Sequence, residues 1–172
     1  MLDAIGKRCS VRSYTDEPVS EEDLQQVLEA ALSAPTANNV RPWHIVVVQD
    51  AGTRAKLATV HQWARFCAES PVVLVFCGDA QRQPHWWIED CCAALENALI
   101  QAADLGLGTC WIGIRGSEGG QGPGPEREQF VRDLLGIPEH IRVLALVSLG
   151  HPGAEPRPKP PGPMDAVHRE SW

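Results

Sequence analysis

Two guanidiniums and a hydroxyl crowd into five residues of the stretch KRCSVRSY: Arg8, Ser10 and Arg12. Arginine presents a planar fork of donors that matches phosphate geometry, so this spacing makes a candidate anion site. The plain alternative is a solvated basic turn on an acidic protein. A second polar knot, SAPTANN at residues 33–39, precedes Arg41-Pro42-Trp43 and the apolar run Ile45-Val46-Val47-Val48. Polar loops carried on rigid scaffolds are frequent seats of small-molecule sites, and the plainer reading here is an Asn-rich helix stop. Because proline biases its predecessor towards extended backbone, Arg41 is expected to leave helical geometry and feed a buried strand near 43–49.

The remaining chemistry is bounded by what is missing. No Gly-rich loop of the GxGxxG or P-loop kind joins a strand to a helix, and neither HExxH nor GxSxG occurs, so conventional nucleotide folds and hydrolases lose ground. The net charge of −7 argues against a nucleic-acid partner, which needs basic clusters. Six cysteines, at 9, 67, 77, 91, 92 and 110, show no CxxC pair and no Cys/His spacing of metal sites; they read as small core residues. A membrane span needs roughly 20 apolar residues, which no stretch approaches. The start MLDAIGKRCS lacks the apolar core of a signal peptide, so a cytoplasmic location is expected. His85, Trp86 and Trp87 are candidates either to wall a substrate pocket or to pack an interface.

The elements that must position these groups alternate along the 172 residues, a length that suits one domain. Residues 20–33 read as a helix: Ser20 and Asp23 resemble a capping box, and Leu24, Val27, Leu28 and Ala31 share a face. Asp50 is placed to cap a second helix reaching about residue 64. Pro71 opens VVLVFC, a continuous apolar run suited to a strand buried on both faces. Ile88, Cys91, Cys92, Leu95, Leu99, Ala102 and Ala103 recur at helical spacing, and Gly106 and Gly108 end that helix. TCWIGI is a third strand, residues 126–135 a further helix stopped by Gly136 and Pro138, and VLALVSLG a fourth strand. The sum is a sheet covered by helices on both sides. Residues 116–126, GSEGGQGPGPE, are too rich in glycine and proline to pack and are expected to form a mobile loop. The tail 151–172 is expected to run extended over a surface.

Taken in order, RCSVRSY, APTANNVRPWHIVVV, IEDCCAALENALIQAADLGLGTCWIG, LLGIPEHIRVLALVSLGHP and the terminal HRESW resemble the FMN-dependent nitroreductase family across nearly the whole chain. The resemblance implies an α+β fold, a central mixed or antiparallel sheet flanked by helices on both faces, in a domain-exchanged homodimer with FMN at the subunit interface. It implies that Arg8 contacts the flavin phosphate, that Ser10 bonds the ribityl or phosphate region, and that Arg12 approaches the N1 and O2 edge of the ring. Pro35, Thr36, Ala37 and Asn39 would reach FMN from the partner chain. Trp111, Ile112 and Gly113 would pass the isoalloxazine face, where a backbone N–H bonds N5. No side chain need act as acid or base, because the flavin takes a hydride from NADH or NADPH and passes electrons to a small acceptor such as a nitroaromatic or quinone. A cation at Arg12 would stabilise the anionic reduced flavin.

The chain departs from the family pattern at three points. Cys9, within the cofactor stretch, stands where the family usually has a second arginine, and Arg41 where it has glutamine. Arg41 would favour an anionic acceptor or a nicotinamide pyrophosphate, or else form a surface salt bridge. Pro161 occupies the place of a phosphate-binding arginine in the tail, leaving Arg157 or Lys159 to serve. Relatives with other flavin chemistry, including flavin-fragmenting enzymes, dehalogenases and azoline oxidases, and a non-catalytic flavin-binding module are the alternatives.

Overall fold

The computed structural model describes residues 1–115 and 124–172. Its centre is a four-stranded sheet in the order β1-β2-β4-β3, from β1 (Trp43–Val48), β2 (Val72–Asp79), β3 (Gly108–Gly113) and β4 (Ile141–Gly150), every neighbouring pair antiparallel. The expected α+β architecture holds, with no parallel pair among these strands. The two central strands explain why. Every residue of β2 is buried, and its side chains alternate between two cores: Val72, Leu74 and Phe76 on one face, Val73, Val75 and Cys77 on the other. Each such fully buried side chain stabilises the fold by about 1.5–3 kcal/mol.

Helices cover both faces. On the first face lie α2 (Glu21–Leu32) and α4 (Trp87–Asp104), which bury Leu24, Val27, Leu95 and Leu99; the short α1 (Asp3–Lys7) also leans on α4. On the second lie α3 (Ala51–Leu57), a 3₁₀ turn at Arg65–Cys67, and α5 (Pro125–Leu135), contributing Leu57, Phe66 and Val131. Local signals act as the sequence indicates. Ser20 Oγ accepts the Asp23 amide at 3.0 Å, and Asp50 Oδ1 accepts that of Thr53 at 2.8 Å. At the end of α4, Gly106 takes φ +76°, and the Leu107 amide closes back on the Ala102 carbonyl at 2.8 Å.

Several expectations are corrected. The helix capped by Asp50 stops at Leu57 rather than near residue 64, and β-branched Thr59 and Val60 follow in turns bonded to Lys56 and Leu57. β1 is an edge strand, not a fully buried one: Ile45 and Val46 are half-buried and Val47 is exposed, because only β2 pairs with it. Arg41 is not extended before Pro42 but sits at φ +51°, for reasons given below. Trp87 belongs to the core, in space left by Gly78, whereas Trp86 is exposed. Within the loop expected at 116–126, residues 116–123 lie outside the described residues, and Pro125 and Glu126 already belong to α5. From Gly153 to Trp172 every residue is exposed, with a single 3₁₀ turn at Met164–Ala166. The free cysteines at 67, 77, 91 and 110 are buried, and burial pushes the thiols of Cys67, Cys77 and Cys91 up to about 12. They are packing residues.

Residues 8–15 are laced to the end of the sheet. Ser10 bridges Thr109, the Val11 amide donates to the Thr109 carbonyl at 2.8 Å, and the Gly153 amide donates to the Ser13 carbonyl at 2.8 Å. A Cβ at Gly108 would fall 2.7 Å from Val11 Cγ1, so only glycine admits the segment this closely. On the other side of the sheet, buried Glu128 holds Arg142 through two contacts of 2.6 and 2.8 Å and accepts the Val143 amide at 3.0 Å. Burial raises the Glu128 carboxyl, but these hydrogen bonds outweigh it and leave the pKa below the ordinary value.

Gly108→Ala is expected to cost about 1–3 kcal/mol in urea denaturation, the range for overpacking; unchanged stability would mean that residues 8–12 move aside freely. Glu128→Gln should lose stability at neutral pH, measured by thermal melts. In the wild type this contribution is fully present above about pH 4.3, the ordinary glutamate value, and fades as pH falls through the lowered native one. The gap between the two proteins should therefore narrow in acid.

Candidate functional site

The laced N-terminal segment carries the anion-binding candidates. Arg8 follows α1 and Arg12 precedes Tyr14, whose hydroxyl donates to the Val11 carbonyl at 2.8 Å and meets Ser148 Oγ at 2.6 Å. Tyr14 is thereby fixed against β4, and burial raises its phenol well above the usual range. The segment is consequently held in place, and the side chains at 8, 10 and 12 border one space together with that of Cys9.

These side chains open onto a cavity of about 670 Å³ lined by Arg8, Cys9, Ser10, Arg12, Glu96, Arg157, Lys159 and Pro161, with α1 residues at one wall. The tail thus returns two cations to the segment holding Arg8 and Arg12, and Pro161 shares their cavity. Glu96 on α4 is the counter-charge, 3.6 Å from Arg8 Nε, both side chains partly exposed. Such a pair is weak enough for a phosphate to replace it.

Arg12 also lines a second cavity of about 430 Å³, against Trp111, Ile112 and Gly113 of β3. A bulge shapes this edge. Phe76 pairs with Ala145 but Cys77 with Val143, so Leu144 is the extra residue, and its carbonyl accepts the amides of Ile114 and Arg115 at 3.0 and 3.1 Å. Pairing of β3 with β4 therefore stops at Gly113. The Cys110 thiol, raised by burial, is drawn back by the Arg12 charge beside it. His61, Trp63, Phe66 and Arg127 complete this cavity, and the sequence reading missed all four. The signal of His61 and Trp63 was faint: HQW at 61–63 lay at the end of a helix expected to reach about residue 64.

Pro35, Thr36, Ala37 and Asn39 line neither cavity. Their loop is built differently. Asn38, Asn39 and Arg41 have φ between +51° and +54°, a region sparsely used outside glycine. The strain is held from outside and within. Asp90, buried in the first turns of α4, accepts the Ala37 amide on Oδ1 at 2.9 Å; Gln83 Nε2 donates to the Ala37 carbonyl at 3.3 Å, and Arg82 Nη2 to the Val40 carbonyl at 3.0 Å. Inside the loop, the Arg41 amide donates to Thr36 Oγ1 at 3.1 Å and Arg41 Nε to Asn39 Oδ1 at 3.0 Å. These bonds override the extended preference of a residue before proline. The left-handed Asn pair was legible in the type of residue; Asp90 as its anchor was not.

No helix of the described residues is long and apolar enough to cross a membrane, and none of their His, Cys, Asp and Glu side chains cluster as a metal site.

The nitroreductase family model matches residues 5–63 and 60–151. A protein of Archaeoglobus fulgidus, named as a candidate NADH dehydrogenase/NAD(P)H nitroreductase, is 37% identical over 99% of this chain and 98% of its own length. The FMN reductase [NAD(P)H] of Bacillus subtilis is 32% identical over 95% of this chain and 70% of its own. Among solved structures, an FMN-dependent nitroreductase of Clostridium difficile superposes with a TM-score of 0.90 at 28% identity, covering 100% of both chains. Sequence match and shared fold agree along the same residues, from the Arg8–Arg12 segment through the end of the sheet, and the chain belongs to the nitroreductase family.

Proposed function

We infer that this protein is an FMN-dependent oxidoreductase that moves a hydride from NADH or NADPH, by way of the flavin, to a small acceptor such as a nitroaromatic or a quinone. The observation that carries the reading is that Arg12 belongs to both cavities. One cavity gathers cations and a hydroxyl suited to a phosphate; the other presents a strand edge and aromatic walls suited to a flat ring. A phosphate joined to a planar heterocycle is the shape those two spaces require together. The names of the Bacillus subtilis and Clostridium difficile relatives, which specify FMN, support the same cofactor.

In this reading Arg8, Arg157 and Lys159 hold the phosphate, with Ser10 donating to it or to the ribityl chain. Lys159 and Arg157 do the work that an arginine at Pro161 would otherwise do, and Glu96 releases Arg8 when the phosphate arrives. Cys9, beside them, adds a small side chain without charge. A flavin held by these residues would supply the hydride and electron transfer that links the nicotinamide to the acceptor. Arg12 would stand beside a ring seated in the second cavity, where a cation stabilises negative charge, and Trp111–Gly113, the last residues of β3 to pair with β4, would pass the ring's face. The protein supplies position and field rather than a general acid.

The homodimer extends this proposal. The loop at Pro35–Asn39 lines neither cavity of its own chain, the residues from Gly153 to Trp172 are exposed throughout, and β1 leaves one edge unpaired. A second copy would cover such surfaces and bring its loop to the flavin.

Purified protein saturated with FMN and desalted is expected to stay yellow, elute as a dimer, and bleach on anaerobic addition of NADH or NADPH. Colour lost on desalting, or colour that neither nicotinamide bleaches, would overturn the assignment. Arg12→Gln is expected to keep the flavin but lower its midpoint potential and slow its reduction by at least about tenfold, the scale for removing one preorganised charge; an unchanged potential would remove Arg12 from the ring edge.

A further inference from the structure

We propose that the acceptor site selects flat aromatic anions and that Arg127 is the residue recognising their negative charge. This rests on the reading that the flavin ring lies along Trp111–Gly113, and it adds the class of molecule that the remaining space receives. The cavity beside that strand is lined by Arg12, His61, Trp63, Phe66, Trp111 and Arg127 among others, with no carboxylate among the described residues of its lining. In a chain of net charge −7 this is a local inversion of sign, and low-dielectric walls strengthen the attraction of such a cleft for anions.

Its walls are aromatic and unfilled. Trp63 is 70% exposed and Trp111 39% exposed, large apolar faces that a planar ring would cover. Arg12 is assigned to the flavin edge, which leaves Arg127 as the cation for a second molecule. Arg127 stands in the first turn of α5, after Gly124 and Pro125, where the helix dipole disfavours a positive side chain. It gains nothing from that position, whereas an anion placed there is favoured by both the guanidinium and the helix start. The nearby carboxylate of Glu128 does not neutralise it, being committed to Arg142 and the Val143 amide.

His61 supports the same polarity. Its Nδ1 accepts the Trp63 amide at 3.1 Å, so the neutral ring carries its proton on Nε2 and serves as a donor. Burial, then the Arg127 charge, keeps its pKa below the ordinary histidine value. A neutral donor and a permanent cation together suit the sulfonate or carboxylate of an aromatic acid.

The test is isothermal titration of the FMN-loaded protein with two redox-inert probes, naphthalene-2-sulfonate and the neutral 2-naphthalenemethanol. The sulfonate is expected to bind more tightly, with an affinity that falls as salt rises. Arg127→Gln should reduce the sulfonate-to-alcohol affinity ratio by about tenfold, the scale of one charge-assisted contact, and Arg127→Lys should recover part of it. In turnover, the same variant should raise KM for 4-nitrobenzoate relative to 4-nitrobenzyl alcohol. Equal binding of both probes by the wild type, or a ratio unmoved in Arg127→Gln, would overturn the proposal. So would a shift confined to KM for NADH, or loss of flavin from the variant, since either assigns Arg127 to a different anion. A wild type that fails to retain FMN would count against the flavin reading instead.

Discussion

The close seating of residues 8–15 against the end of the sheet is the constraint on which the site depends. Gly108 leaves no room for a side chain beneath Val11, and Gly153 lies under Ser13 in the same way. Backbone bonds to Thr109, His151 and Gly153 then fix the segment at both ends. A ligand held by side chains on such a segment meets donors whose positions are already determined, so little ordering entropy opposes binding. The strand that receives the segment, β3, also carries Trp111–Gly113. One packing contact thus sets the spacing between the two parts of the candidate flavin site.

A second constraint operates at the other end of α4. The loop at residues 36–41 holds three non-glycine residues in left-handed backbone, a conformation costing on the order of 1–3 kcal/mol each unless its surroundings enforce it. Asp90, Gln83 and Arg82 supply the enforcement, from the helix start and the turn preceding it. Asp90 Oδ2 is buried with no hydrogen-bond partner among the described residues, so the carboxylate is held for the sake of the loop more than for its own solvation. The same helix bears Glu96 opposite Arg8, so α4 touches both the loop and the phosphate end.

Charge is distributed against the composition. The chain is acidic overall, yet both cavities present arginines, and the one acid group lining them among the described residues, Glu96, sits in a solvent-screened pair. Guanidiniums at a concave site retain their local attraction because exposed charges farther away are screened. Buried Glu128 pairs with the partly exposed Arg142, which ties the start of α5 to β4 and so positions the helix that carries Arg127.

Much of the fold was legible in residue patterns. The continuous apolar run of β2 announced a strand covered on both faces, the spacing of Cys91, Leu95, Leu99 and Ala102 announced α4, and Ser20, Asp50, Gly106 and Gly136 marked helix ends, because each of these signals acts within a few residues. The Arg8–Ser10–Arg12 cluster was visible for the same reason. What failed were readings in which distant partners outvote local preference: Arg41 is left-handed before proline because Thr36 and Asn39 bind it, β1 is half-exposed because the strand order places it at an edge, and the helix after Asp50 stops early. Sequence by itself determined the alternation of elements and the chemical character of the N-terminal segment. Only the tertiary structure decided that Arg157 and Lys159 return to Arg8, that Asp90 holds the loop, and that His61, Trp63 and Arg127 meet across one cavity, since residues dozens of positions apart become neighbours only when the sheet and its helices have packed.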